Sequence, residues 1–108
     1  MATTYKILGQ VNPAANTNAT LYTCPALTST VISTIAICNQ GNTASFRISV
    51  NNNGAAISSN AYIVYDNYVN QFDSVFLTLG ITVDASDMVN VYASTANVSF
   101  NAFGSELT

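Results

Sequence analysis

Apolar and polar residues alternate one by one along much of this chain, and this period of two limits the possible fold more than any other sequence feature. In one clear case, Phe46, Ile48 and Val50 are each separated by a single polar residue. The same alternation recurs in the segments 74–79, 88–92 and 98–103. Because successive side chains of a β-strand point to opposite faces, each of these segments predicts a strand with one buried face.

Turn-forming residues separate the predicted strands. Asn-Pro and Asn-Gly pairs, together with clusters of Asn, Asp and Ser, interrupt the apolar pattern near 12–18, 39–42, 51–54 and 84–87. The strands predicted between these turns cover roughly 5–11, 21–25, 31–38, 46–50, 62–65, 75–79, 88–93 and 98–103. About eight strands and no helix predict an all-β chain in which residues 1–108 form a single-domain antiparallel β-sandwich, with a jelly-roll-like fold.

The composition indicates a surface with very few charges. Of the 108 residues, 49% are hydrophobic and only 6% are charged, whereas about 25% is typical of soluble domains. A chain of this length and hydrophobicity can bury a core without a metal or a disulfide framework. A surface of amides, hydroxyls and small side chains costs little free energy to desolvate, because no strongly hydrated ion must lose its water. The composition therefore favours a protein that neighbouring subunits cover.

Charge and residue types argue against several functional classes. The net charge is −3, and Lys6 and Arg47 are the only basic residues. Two separate cations are too few to displace counterions from a nucleic acid or to hold an acidic membrane surface. The chain has no histidine, and we interpret Asp84 and Asp87 as caps of their own turn rather than as an acid–base pair or a calcium site. We therefore expect a protein that is not an enzyme and carries no metal or other cofactor.

Neither a membrane span nor a secretion signal is predicted. No apolar run approaches the ~20 residues that cross a bilayer as a helix. The segment Met1–Lys6 has no basic region followed by an apolar stretch. We expect the protein to be made and kept in a cytoplasm, or to leave it by a route other than standard secretion.

The two cysteines, Cys24 and Cys38, lie in or beside predicted strands. The favoured interpretation is a pair of buried free thiols that act as small apolar side chains. A disulfide within or between chains is the alternative, and it would make both residues candidates for fixing one subunit to another. A zinc site is disfavoured, because there is no histidine and no CxxC spacing.

Four further residues are candidates for an interface. Arg47 lies between two apolar residues and is predicted to face away from the core, either solvated or paired with a carboxylate of a neighbouring subunit. Tyr62, Tyr65 and Tyr68 cluster around one predicted strand. We favour core packing with an exposed rim for these tyrosines over a ligand platform, although tyrosines are also common interface anchors.

Several segments resemble a family of short virion proteins of tailed bacteriophages, cyanophages especially. The resemblance covers almost the whole chain and consists of scaffold-like segments without a catalytic signature. These segments are Lys6–Pro13, Leu21–Ala26, Val31–Ile35, Cys38–Asn39, Phe46–Ile48, Leu77–Thr82, Val91–Ser94 and Phe100–Glu106. The resemblance implies a structural component of the particle, but it does not imply a position on it.

These observations lead to one functional hypothesis with two alternatives. The hypothesis is an accessory virion protein, assembled in the bacterial host cytoplasm, that forms a symmetric homo-oligomer such as a trimer and decorates or cements the head beside other virion proteins. The first alternative places the same kind of subunit in the tail, neck, baseplate or fibre. The second is an adhesive module that binds a host glycan through the Tyr62–Tyr68 region.

Overall fold

The computed structural model describes residues 2–108, which form two antiparallel β-sheets packed face to face. The nine strands are β1 Thr3–Val11, β2 Ala19–Thr23, β3 Ser29–Asn39, β4 Ala44–Asn51, β5 Tyr62–Val69, β6 Ser74–Leu77, β7 Ile81–Val83, β8 Met88–Ala93 and β9 Val98–Leu107. Two single turns of 3₁₀-helix, Asn52–Gly54 and Ser59–Ala61, lie between β4 and β5.

The strand order is that of a jelly roll. Sheet 1 has the order β1-β9-β3-β6, with β7 also paired to β3, and sheet 2 has the order β2-β8-β4-β5. Strands β6 and β7 pair with two successive parts of β3, Ile35–Cys38 and Thr30–Ile32, so together they act as one interrupted strand. When β6 and β7 are counted as one strand and the strands are renumbered from one to eight, the two sheets have the orders 1-8-3-6 and 2-7-4-5. These orders are those of the double Greek key of a jelly roll.

The predicted fold class is therefore confirmed, and the strand count needs a small correction. The sequence predicts a single strand over 75–79 as the sixth in chain order. The structure instead contains two short strands, β6 and β7, separated by a break at Gly80. This glycine has a φ of 64°, a left-handed conformation that suits a residue without a Cβ atom and ends the regular pairing.

The core lies between the inner faces of the two sheets and follows the alternation in the sequence. Phe46 of sheet 2 and Phe100 of sheet 1 are fully buried and meet edge to face, with ring centroids 6.2 Å apart. Around them pack Ile32, Ile35, Ile37, Ile48, Val69, Val89, Val91 and Val98, all with 0–1% of their surface exposed. Burying each side chain of this size contributes about 1.5–3 kcal/mol, so the two sheets stabilise each other chiefly through this layer.

A β-bulge in β3 lies opposite a glycine that approaches its backbone closely. The register between β3 and β9 shifts between Ile32 and Thr34. A Cβ atom at Gly104 would lie 2.0 Å from the carbonyl oxygen of Val31 and 3.0 Å from the Cα atom of Ile32. Only a glycine allows β9 and β3 to come this close.

One end of the sandwich is joined by a buried asparagine. Asn39, with 1% of its surface exposed, ends β3. Its Nδ2 lies 2.7 Å from the carbonyl oxygen of Asn42 and 3.1 Å from those of Val69 and Asn70, while its Oδ1 accepts a hydrogen bond from the N–H of Gly41. A single side chain thus holds the turn after β3 against the end of β5.

Candidate interaction surfaces

The outer face of sheet 1 carries apolar side chains and no charge. Cross-strand pairing aligns its outward residues in rows, such as Tyr5–Ser105–Val31–Thr82 and Gln10–Asn101–Ala36–Phe76. We call this surface the sheet-1 face. Its members are Thr3, Tyr5, Ile7, Gln10, Ser29, Val31, Thr34, Ala36, Cys38, Ser74, Phe76, Thr82, Ser99, Asn101, Phe103, Ser105 and Leu107. Every residue of the set is uncharged.

The apolar members of the sheet-1 face are well exposed. Tyr5 has 84% of its surface accessible, Phe76 has 69% and Ile7 has 54%. A shallow groove of about 500 Å³ crosses the face beside Tyr5, Ile7, Val31 and Phe103, and Lys6 of β1 also borders it. Contiguous exposed apolar surface on a folded protein marks a site of interaction.

The charged residues lie elsewhere, and both cations are paired within the chain. Lys6 Nζ lies 3.1 Å from Glu106 Oε1, and Arg47 pairs with Asp66. The register alternation of β1 directs the Lys6 side chain to the side opposite Tyr5 and Ile7. The remaining carboxylates, Asp73, Asp84 and Asp87, lie in or beside turns at the ends of the strands.

Asp87 caps its turn as predicted, whereas the Asp84 carboxylate does not: its Oδ1 lies 3.5 Å from the Ser29 hydroxyl. The Oδ2 of Asp87 accepts a hydrogen bond of 2.9 Å from the N–H of Asp84, and its Oδ1 accepts one of 2.9 Å from the N–H of Asn53. Both carboxylate oxygens of Asp87 are therefore used by backbone donors, which is the ordinary structural task of an aspartate in a tight turn.

The outer face of sheet 2 presents an ordered group that we call the Arg47 cluster: Arg47, Tyr62, Tyr65, Asp66 and Tyr92. The Arg47 guanidinium lies between two rings, 4.4 Å from the centroid of Tyr65 and 4.3 Å from that of Tyr92. Its Nε and Nη2 donate to the two carboxylate oxygens of Asp66 at 2.6 Å and 3.2 Å. The hydrogen bonds from Arg47 lower the pKa of Asp66. Stacking and a forked hydrogen bond together fix the orientation of this cation.

The structure brings three of the predicted interface residues together and separates the fourth. Arg47, Tyr62 and Tyr65 share the cluster, with the Tyr62 and Tyr65 ring centroids 4.9 Å apart, and a cleft of about 440 Å³ opens beside Ser59 and these two tyrosines. Tyr68 lies further along β5, opposite Ser45, and its side chain is mostly exposed. Arg47 faces outward as predicted, but its carboxylate partner belongs to the same chain rather than to a neighbouring subunit.

The two cysteines are free and lie in different environments. Cys24, with 2% of its surface exposed, donates from Sγ to the carbonyl oxygen of Thr28 at 3.3 Å. Cys38 is half-buried and belongs to the outward rows of the sheet-1 face. The interpretation as buried thiols therefore holds for Cys24, whereas Cys38 remains partly accessible.

A polar chain runs from the surface into the core at one end of sheet 1. Lys6 pairs with Glu106, whose Oε2 accepts a hydrogen bond from the Tyr22 hydroxyl, and that hydroxyl shares a 2.8 Å hydrogen bond with Thr30. Burial, followed by the hydrogen bond to the carboxylate, raises the pKa of Tyr22. The hydrogen bond from Tyr22 is the main cause of a lowered pKa at Glu106, and Lys6 lowers it further.

These shifts predict that folding stability depends on pH through Glu106. A carboxyl whose folded pKa lies below its usual value of 4.5 contributes stability above that pH and loses it as the pH falls through the lowered value. The difference in unfolding free energy between the wild type and Glu106→Gln should therefore narrow as the pH falls below about 4.5. Urea denaturation over an acidic pH series measures this difference. Tyr22→Phe should also weaken the acid dependence, and a difference that stays constant with pH would contradict the assignment.

Two further properties concern the described part of the chain as a whole. Within residues 2–108, no group of three or more cysteine, aspartate or glutamate side chains is placed to hold a metal ion. Over the same range, no helix has the length and apolar character needed to cross a bilayer.

Comparison with known proteins finds solved structures with a similar fold. No family model and no curated protein sequence matches this chain. A chain in the structure of infectious bursal disease virus, Gx strain, aligns with a TM-score of 0.55 and 12% identity, over 96% of this chain and 29% of that one. The aligned part of that chain and this chain share a fold. A pentameric capsid protein from metagenomic phage sequences aligns with a TM-score of 0.42 and 18% identity, over 96% of this chain and 59% of that one.

This chain spans 29% and 59% of the lengths of these two viral chains. The placement among proteins of tailed bacteriophages stays a prediction from the sequence resemblance.

Proposed function

We propose that this protein is a non-enzymatic structural component of a virion and acts as a symmetric homo-oligomer. The observation that carries the proposal is the sheet-1 face, an uncharged apolar surface on one side of a jelly-roll sandwich. Jelly rolls are common in viral capsid domains. The likeness of fold to a chain of infectious bursal disease virus supports the same direction.

The physical mechanism is contact area repeated over many copies. Apolar side chains such as Tyr5, Ile7 and Phe76 release water when a neighbouring subunit covers them. Because the face carries no charge, covering it removes no ion from water. Contacts that are weak individually become effective when the same subunit is repeated on a symmetric particle.

For the position on the particle, we propose the head of a tailed phage, where the oligomer decorates or cements the shell. The sequence resemblance to short virion proteins of such phages supports this choice. Placement in the tail, neck, baseplate or fibre is the alternative, and it requires the same kind of surface.

Reconstruction of intact particles by electron microscopy tests both the role and the position. The expected result is density for this fold repeated in many copies over the head. A small multiple of three or six copies at the neck or tail would support the alternative instead. Particles that lack the protein altogether would refute the virion role.

A second candidate function is glycan binding at the Arg47 cluster. The cleft beside Ser59, Tyr62 and Tyr65 favours it, because exposed aromatic side chains can pack against apolar parts of a ligand. A glycan array probed with the wild type and with Tyr65→Ala tests this function. Binding by the wild type that Tyr65→Ala abolishes would support it, and no binding by the wild type would remove it.

A further inference from the structure

We propose that the sheet-1 face is covered by the same face of a second copy of this chain, related by a two-fold axis. The inference rests on the homo-oligomer of the proposed function and names the surface that forms it. The sheet-1 faces of the two copies would pack face to face, as two sheets do when they lie about 10 Å apart and their side chains interdigitate.

The charge distribution of the sheet-1 face is compatible with self-association. In a two-fold contact every residue of the patch meets the same patch on its partner, so a charge near the centre would meet a like charge. Every row of the sheet-1 face is uncharged from edge to edge, for example Ile7–Phe103–Thr34. The face is therefore compatible with itself without any ion pairing.

The other surfaces of residues 2–108 carry charges that the sheet-1 face lacks. The outer face of sheet 2 carries the Arg47–Asp66 pair, and the strand ends carry Asp73, Asp84 and Asp87. An apolar face that packed on any of these would remove water from a charge without supplying a partner for it. Within the described chain, the surface that best matches the sheet-1 face is the sheet-1 face of another copy.

The area of the sheet-1 face is close to that of a standard protein interface. Four strands spaced about 4.8 Å apart span roughly 19 Å, and nine residues of β-strand span about 30 Å. The flat area of the face is therefore roughly 600 Å², without the additional surface of the protruding side chains. This area is comparable with the ~800 Å² per partner of a standard interface. The exposed aromatic residues Tyr5, Phe76 and Phe103 supply anchors of the kind that dominate such contacts.

Two matched pairs of lysine substitutions test the proposal. Val31 and Phe76 belong to the sheet-1 face, with 43% and 69% of their surfaces exposed. Ile63 and Tyr68 lie on β5 of sheet 2, with 46% and 69% exposed, and serve as controls. Sedimentation velocity of the full chain over a concentration series gives the dimer dissociation constant, and circular dichroism checks that each variant retains its β-structure.

The expected result is a wild-type dimer whose dissociation constant rises at least about 100-fold in Val31→Lys and Phe76→Lys. Ile63→Lys and Tyr68→Lys should leave the constant within about threefold of the wild type, because neither site belongs to the contact. The lysines act twice in each dimer, since the two-fold axis places one on each copy.

Three results would overturn the inference. A wild type that sediments as a monomer at about 100 µM would remove the self-contact, while the virion role would still be decided by the particle reconstruction. Loss of the dimer in the sheet 2 variants alone would place the contact on the other sheet and leave the homo-oligomer intact. A trimer would exclude the two-fold pairing.

Discussion

Replacing Asn39 by alanine is expected to lower the free energy of unfolding by about 3 kcal/mol, because it removes the hydrogen bonds of the buried Val69 carbonyl oxygen and of partly buried backbone groups in the turn. The side chain lies against the carbonyl oxygens of Asn42, Val69 and Asn70 and accepts from the N–H of Gly41. An unpaired polar group in a buried site costs roughly 1–3 kcal/mol, and the loss at the Val69 carbonyl adds to weaker bonding of the partly buried groups of Gly41, Asn42 and Asn70.

Urea denaturation of Asn39→Ala beside Asn42→Ala measures this effect. Asn42 lies in the same turn, but its side chain is exposed and forms no hydrogen bond within residues 2–108. The control should therefore change the unfolding free energy by less than about 0.5 kcal/mol. Equal losses in the two variants would mean that the turn, rather than the buried amide, sets the stability of this end.

Substituting alanine for Gly104 should destabilise the fold by about 3 kcal/mol or prevent it from forming, since no side-chain movement can relieve the contact. The added Cβ atom would lie 2.0 Å from the Val31 carbonyl oxygen, so β9 and β3 would have to separate. These are the two central strands of sheet 1, which makes the strain difficult to distribute.

Gly80→Ala is the control that separates steric clash from backbone conformation. Gly80 has a φ of 64°, and no other atom lies within 4 Å of the place that a Cβ atom would occupy. Alanine there should therefore cost only about 1–2 kcal/mol of conformational strain. Soluble yield and urea denaturation together rank the two variants, even when Gly104→Ala does not fold. A Gly104→Ala protein as stable as Gly80→Ala would show that the two strands can move apart easily.

The strands themselves were largely predictable because alternation is a local property. The predicted strand 46–50 lies within β4, and 98–103 lies within β9. The predicted strand 62–65 is shorter than β5, which continues to Val69 through a bulge where Asp66 adopts a φ of 50°. Aspartate tolerates this conformation better than most residues do, but nothing in the neighbouring sequence distinguishes a bulge from the end of a strand.

The interaction surfaces depend on strand order, and strand order is not local. The outward direction of Arg47 followed from alternation, but Asp66 and Tyr92 reach it only because β5 and β8 flank β4. The sheet-1 face was missed for the same reason. A signal was nevertheless present: Val75, Phe76 and Leu77 are apolar on both sides of their strand. A strand that is apolar on both sides indicates that its outer side is also buried, in this case by the proposed contact with another molecule.

The central position of β9 in sheet 1 also constrains biosynthesis. This strand is the last in chain order, yet it lies between β1 and β3 and joins them. During translation, roughly 90 further residues must be added after β1, which takes about 5–20 s at ordinary elongation rates, before its hydrogen-bonding partner β9 has been synthesised. Nascent chains therefore carry unpaired sheet edges throughout that interval, and a stop codon before Val98 would remove the strand that holds β1 and β3 in one sheet.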